Sequence, residues 1–243
     1  MKVGIKSIEL EDFKEVAFEM GQLGWLTKEF RKQVPLARID APDTLGHPMK
    51  LWEWARALLA IREIHGKNLD ISILDIGAAY SLLGPALAYL GYDVVEVEPD
   101  VECGYERSKL NDFLSPFNGR PIRWMRGGYG GLQDVTRQHF DVVMSISTIE
   151  HIDLWLEKTA WKEMFDLLKP GGLLVVTADL MPEPRKGYMY DDCRWTNYDM
   201  NMIKDRVDEL KGYGLKPLGE EDYRFHGVFV HDYSFASIHM VKS

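Results

Sequence analysis

Only two cysteines occur among 243 residues, Cys103 and Cys193, and they form no CxxC pair. Such sparse, separated cysteines suggest neither a disulfide framework nor a zinc centre, so both are expected to be free thiols in a reducing compartment. Long apolar runs are missing too. No stretch approaches the roughly 20 residues that a membrane-spanning helix requires. The opening segment gathers Glu9, Glu11 and Asp12 before any apolar core of a leader forms, which argues against a secretory signal. Positive charge is also short: 29 Lys and Arg stand against 38 Asp and Glu, a formal charge of −9. Nucleic-acid affinity rests on cations neutralising phosphates, so the deficit weighs against a general polyanion binder. These absences predict a cytoplasmic protein whose partner is a small molecule, with neither nucleic acid nor membrane as ligand.

What is present is enough apolar material, 46% of residues, to bury a core. Short β-branched runs alternate with segments of helical period, the pattern of a βαβ sheet. The runs fall at 71–76, 93–97, 122–125, 141–146 and 173–178. Helices are predicted behind Pro85, over 103–114, over 154–168 and over 197–211. Three of the runs are too apolar to have a wet face, which points to a parallel sheet covered on both sides. Two later stretches, 228–230 and 235–241, suggest an antiparallel hairpin at the sheet edge. Residues 1–65 show no strand signal: 9–31 and 49–64 look helical, and 34–48 reads as a loop. The expected fold is therefore α/β, a Rossmann-like doubly wound sheet, mostly parallel, with an antiparallel C-terminal hairpin. An N-terminal helical cap over 1–65 would precede a cofactor-binding domain over 66–243.

The richest local feature is the turn Leu74-Asp75-Ile76-Gly77-Ala78-Ala79-Tyr80-Ser81. A glycine at the carboxyl end of the first parallel strand lets backbone approach a ligand, and the next helix begins just beyond it. The turn is not GxGxxG, because Ala79 stands at the second glycine position, which leaves less room for a pyrophosphate. About 20 residues on, Glu96-Val97-Glu98-Pro99-Asp100 ends the second strand, where an acid can accept both hydroxyls of a ribose. Glu98 is the candidate. A competing role for these acids is to cap the following helix.

Together with Phe140-Asp141-Val142-Val143-Met144-Ser145-Ile146-Ser147, the following Glu150-His151, and Leu167-Leu168-Lys169-Pro170-Gly171-Gly172, these segments resemble the class I S-adenosylmethionine-dependent methyltransferases. The resemblance covers about 71–178, with the motifs in order. It implies S-adenosyl-L-methionine as cofactor and a small-molecule acceptor, a saccharide or related metabolite among the candidates. It further implies that backbone at Gly77, Ala78 and Ala79 faces the methionine portion, that Asp75 organises that loop, and that Glu98 holds the ribose. Ile146 and Ser147 would line the cofactor at the end of the fourth strand. The chain departs from the family after its third strand, where Met125-Arg126-Gly127-Gly128-Tyr129 replaces the usual acid near adenine. Backbone at Gly128 is the expected substitute, with Trp124 or Tyr129 as stacking candidates.

His151 is the candidate general base, because an ordinary imidazole titrates near neutral pH. The alternatives are that Glu150-His151 supports a turn, and that methyl transfer needs only in-line positioning. No metal is expected: His226 and His231 are offset by five, which on a strand points them to opposite faces. Asp179, Tyr188, Tyr190 and Trp195 lie where substrate-facing loops leave such a sheet. Trp54 shares a helical face with Lys50, Glu53 and Ala57, as a lid residue or as core. A catalytically inactive scaffold on the same fold and a nicotinamide-dependent oxidoreductase are the competing functions.

Overall fold

The computed structural model describes residues 2–3, 48–79, 81–117, 119–132, 139–180, 189–190, 193–194, 198–222 and 234–243. The chain forms two compact units, Ile8–Gly128 and Met1–Ser7 with Tyr129–Ser243. In chain order, the elements begin with β1 (Lys2–Val3), α1 (Pro48–His65), β2 (Ser72–Ile76), α2 (Leu83–Tyr89), β3 (Asp93–Glu98), α3 (Val101–Leu114) and β4 (Arg123–Arg126). They continue with β5 (Phe140–Ile146), α4 (Leu154–Asp166), β6 (Leu168–Leu180), β7 (Met189–Tyr190), β8 (Cys193–Arg194), α5 (Met200–Gly212), β9 (Leu215–Pro217), β10 (Glu221–Asp222) and β11 (Ser234–Lys242).

In the Ile8–Gly128 unit, β2, β3 and β4 lie parallel in that order, with Asp75 opposite Glu96 and Glu98 opposite Arg126. Every residue of β2 is buried, Ser72 and Asp75 along with Ile73, Leu74 and Ile76, as in a strand covered on both faces. The chain leaves α2 through Gly91 at φ +101°, a left-handed conformation that costs glycine nothing. Asp100 caps α3 by accepting from the Glu102 N–H at 2.9 Å, so the capping role weighed for these acids falls to Asp100. Gly104 of α3 packs flat on the Trp124 indole: a Cβ there would come within 2.6 Å of the ring. That face of Trp124, a candidate for adenine stacking, is occupied by the helix. Trp54 decides between the two roles left open for it. It is 4% exposed in the interior, beside the fully buried Ala57, and so belongs to the core rather than to a lid.

In the other unit, β5 and β6 are parallel, while β11 runs antiparallel to β6 from Ser234 opposite Leu180 to Val241 opposite Leu173. The antiparallel edge expected from the sequence is present, with β9 as a second antiparallel partner of β11. The stretch 228–230 lies outside the described residues, as do 9–31, His226, His231, Tyr188 and Trp195. The Lys169-Pro170-Gly171-Gly172 turn does not precede β6 but sits within it. The β5–β6 register slips there, Gly171 adopts φ +76°, and a Cβ on Gly172 would meet Lys169 O at 2.8 Å. Residues 1–65 also hold a strand that no periodicity announced. β1 pairs parallel with β11 and antiparallel with β10, and two residues are too few to show a pattern. Among the described residues no helix is long and apolar enough to cross a membrane, and no group of three His, Cys, Asp or Glu is placed to hold a metal ion.

Candidate functional site

Six of the residues singled out in the sequence lie in the Ile8–Gly128 unit, at the carboxyl ends of its parallel strands. β2 ends at Ile76, and Gly77 turns the chain at φ +73° while its N–H donates to Val97 O at 2.8 Å. Ala78 is buried and Ala79 is exposed, at φ +41°. The alanine at the second glycine position thus holds a conformation glycine would adopt more cheaply. Glu98, at the end of β3, reaches this loop. Its Oε2 accepts from the Ala79 N–H at 3.1 Å, and its Oε1 accepts from the Asp100 N–H at 3.3 Å. Gly127 closes the third side, its N–H donating to Glu98 O at 3.2 Å.

This edge fits an adenosyl group on three counts. Gly77 turns the chain sharply at the end of β2, Glu98 presents a carboxylate at a strand end, and the neighbouring loop has room. A Cβ on Gly128 would meet only Pro99 Cδ, at 3.9 Å. Electrostatics add a cluster of three acids. Burial raises the Asp75 carboxyl well above the ordinary range, with Glu96 pushing the same way and Arg107 opposing. Burial raises Glu96 too, against the attraction of Arg107. Glu98 is raised by burial, against the N–H donors of Asp100 and Ala79.

Arg107 escaped the sequence reading. It is 2% exposed, and its guanidinium joins Glu96 to the carbonyls of Ala79 and Ser81. The available signal was an arginine in the second turn of the helix after the acidic strand, too common a feature to single out. The organising role assigned to Asp75 is therefore performed in part by Arg107.

Ile146, Ser147 and His151 lie in the other unit, after β5. Ser147 takes φ +49°, and its N–H donates to Thr177 O at 3.1 Å and Thr177 Oγ1 at 3.0 Å. Glu150 and His151 occupy a short turn of 3-10 helix and have opposite characters. Glu150 is buried and accepts from the Asp179 N–H at 3.3 Å, whereas His151 is exposed. Glu150 fills the supporting role weighed for the pair, and His151 lies at the surface. The Tyr129 hydroxyl donates to Ser145 Oγ at 2.6 Å, which ties that side chain to β5.

A family profile described as a methyltransferase domain matches residues 50–200. No curated protein matches the chain. Among solved structures, magnesium protoporphyrin IX methyltransferase from Synechocystis, crystallised with S-adenosylhomocysteine, aligns with a TM-score of 0.57 at 13% identity, over 82% of this chain and 85% of its own. An S-adenosylmethionine-dependent methyltransferase from Clostridium acetobutylicum aligns with a TM-score of 0.55 at 14% identity, over 78% and 91%. TehB from Haemophilus influenzae aligns with a TM-score of 0.52 at 16% identity, over 77% of this chain, which spans 62% of TehB's length. With more than half its length matched by the profile, the chain belongs to the methyltransferase domain family, and these solved structures share its fold.

Proposed function

We propose that the protein is an active methyltransferase that uses S-adenosyl-L-methionine to methylate a small-molecule acceptor. The observation that carries this reading is Glu98: a carboxylate at the mouth of a parallel strand, beside a left-handed glycine turn, in a chain of this family. When bound, the cofactor supplies an electrophilic sulfonium methyl. The chain supplies position and charge. Glu98 accepts the two ribose hydroxyls, and the Gly77, Ala78 and Ala79 backbone meets the methionine portion. Gly128 offers backbone to the adenine.

His151, at the surface after β5, is proposed as the base that takes the acceptor's proton. Residues 1–65 are proposed as the cap that selects the acceptor, with the boundary at the end of α1. The two sparse, separated cysteines and the acidic balance support a cytoplasmic location.

Isothermal titration with S-adenosylhomocysteine tests the cofactor; folded protein that shows no binding at millimolar ligand sinks the proposal. An acceptor panel headed by saccharides, read by mass spectrometry for a methyl adduct, tests the activity. Binding without product from any acceptor would favour a scaffold, and a fluorescence change with NADH would favour the oxidoreductase.

A further inference from the structure

We propose that Arg107, held in place by Glu96, is a positioning residue that clamps the cofactor loop in its binding conformation. The inference rests on the reading above that the 77–79 backbone meets the cofactor.

Both polar ends of the Ala79 unit are gripped by charged side chains. Glu98 Oε2 accepts from its N–H at 3.1 Å, and Arg107 Nη2 donates to its carbonyl at 3.2 Å. The same Nη2 donates to Ser81 O at 2.6 Å, so one guanidinium holds two loop carbonyls. Between these grips Ala79 sits at φ +41°, which an alanine adopts only under constraint from its surroundings. The constraint originates in β3 and α3. Arg107 Nε donates to Glu96 Oε2 at 2.5 Å, with the two side chains 2% and 1% exposed. Room for that carboxylate comes from Gly84 of α2, where a Cβ would lie 2.2 Å from Glu96 Oε1.

A buried ion pair is a poor device for stability alone, because desolvation offsets the attraction and apolar residues of like volume serve as well. What apolar residues could not do is hold two loop carbonyls. The planar fork of arginine does this while one edge stays paired with Glu96.

Two variants test the clamp, each measured for S-adenosylhomocysteine affinity by calorimetry and for ligand-free thermal stability. The double variant Glu96→Gln with Arg107→Met removes the charges together, so neither is left buried alone. It is expected to melt within a few degrees of the parent yet bind about tenfold more weakly, because the loop must be ordered by the ligand itself. Arg107→Lys keeps the charge beside Glu96 but replaces the fork with a point donor; about fivefold weaker binding is expected with little change in melting. A role in stability alone would move melting and affinity together. If the double variant does not fold, the lysine variant decides. A folded variant that binds within about twofold of the parent, a difference near thermal energy, overturns the clamp while leaving the cofactor site intact. A parent protein that does not bind S-adenosylhomocysteine overturns the cofactor reading and the clamp with it.

Discussion

Glu98 is asked to do two things at once. Both its oxygens already accept backbone N–H groups, from Ala79 and Asp100. An ionised carboxylate has about four acceptor sites, so two remain for the hydroxyls of a ribose. Glu98→Ala is expected to weaken S-adenosylhomocysteine binding by about 1–3 kcal/mol, read by titration calorimetry; unchanged affinity would mean the site lies elsewhere. Asp75 gives a prediction in pH. Its folded pKa lies above its unfolded one, so folding takes up a proton, and the stability linked to the protonated carboxyl is full at acid pH. That stability is lost as pH rises through the raised folded value. Asparagine does not titrate, so the advantage of Asp75→Asn over the parent in urea denaturation is expected to grow from about pH 4 upward. A pH-independent difference would count against a buried, proton-binding Asp75.

At the scale of elements, α3 lies close to β4 because residue 104 lacks a side chain. Gly104→Ala raises helix propensity, but its methyl would enter the Trp124 ring, whose atoms lie 2.6–2.8 Å from the Cβ position. Overpacking of this kind costs about 1–3 kcal/mol, against a propensity gain of about 1, so the denaturation midpoint is expected to fall. A rise would mean that the indole yields freely. In the other unit, Glu157 ties α4 to α5. Buried at 1% exposure, it accepts from Trp161 Nε1 at 2.7 Å, Tyr198 OH at 3.0 Å and Arg206 Nε at 2.7 Å. Glu157→Ala strands three donors at once. A loss of about 3–5 kcal/mol is expected by urea denaturation, and a loss below about 1 would show that water replaces the carboxylate.

For the whole molecule, a cofactor that binds only the folded chain must stabilise it. At 100 times its dissociation constant, S-adenosylhomocysteine should add about 2.7 kcal/mol, visible as a raised melting temperature. NADH at the same concentration should leave the melting temperature unchanged, and a shift with NADH would contradict the cofactor assignment.

Strands and helices were legible in the sequence wherever burial is two-sided or periodic. The run 71–76 became β2, and 235–241 became part of β11, because apolar pattern and burial are the same information. Gly77 and Glu98 were legible because a turn and a strand end have local signatures. Three features were not. Helical spacing put Trp54 and Ala57 on one face, yet could not say that interior packing, rather than a ligand, covers it. β1 forms only because β11 and β10 lend it an edge. Arg107 acts on carbonyls 28 and 26 positions away, and no local pattern records partners at that distance. The sequence by itself determined the order of the longer strands and helices from β2 onward, the glycine turn and the acid that faces it, since each is set by residues close along the chain. The tertiary structure alone decided which charged groups grip Ala79 and which of Glu150 and His151 is buried, because hydrogen bonds and desolvation depend on neighbours that only folding brings together.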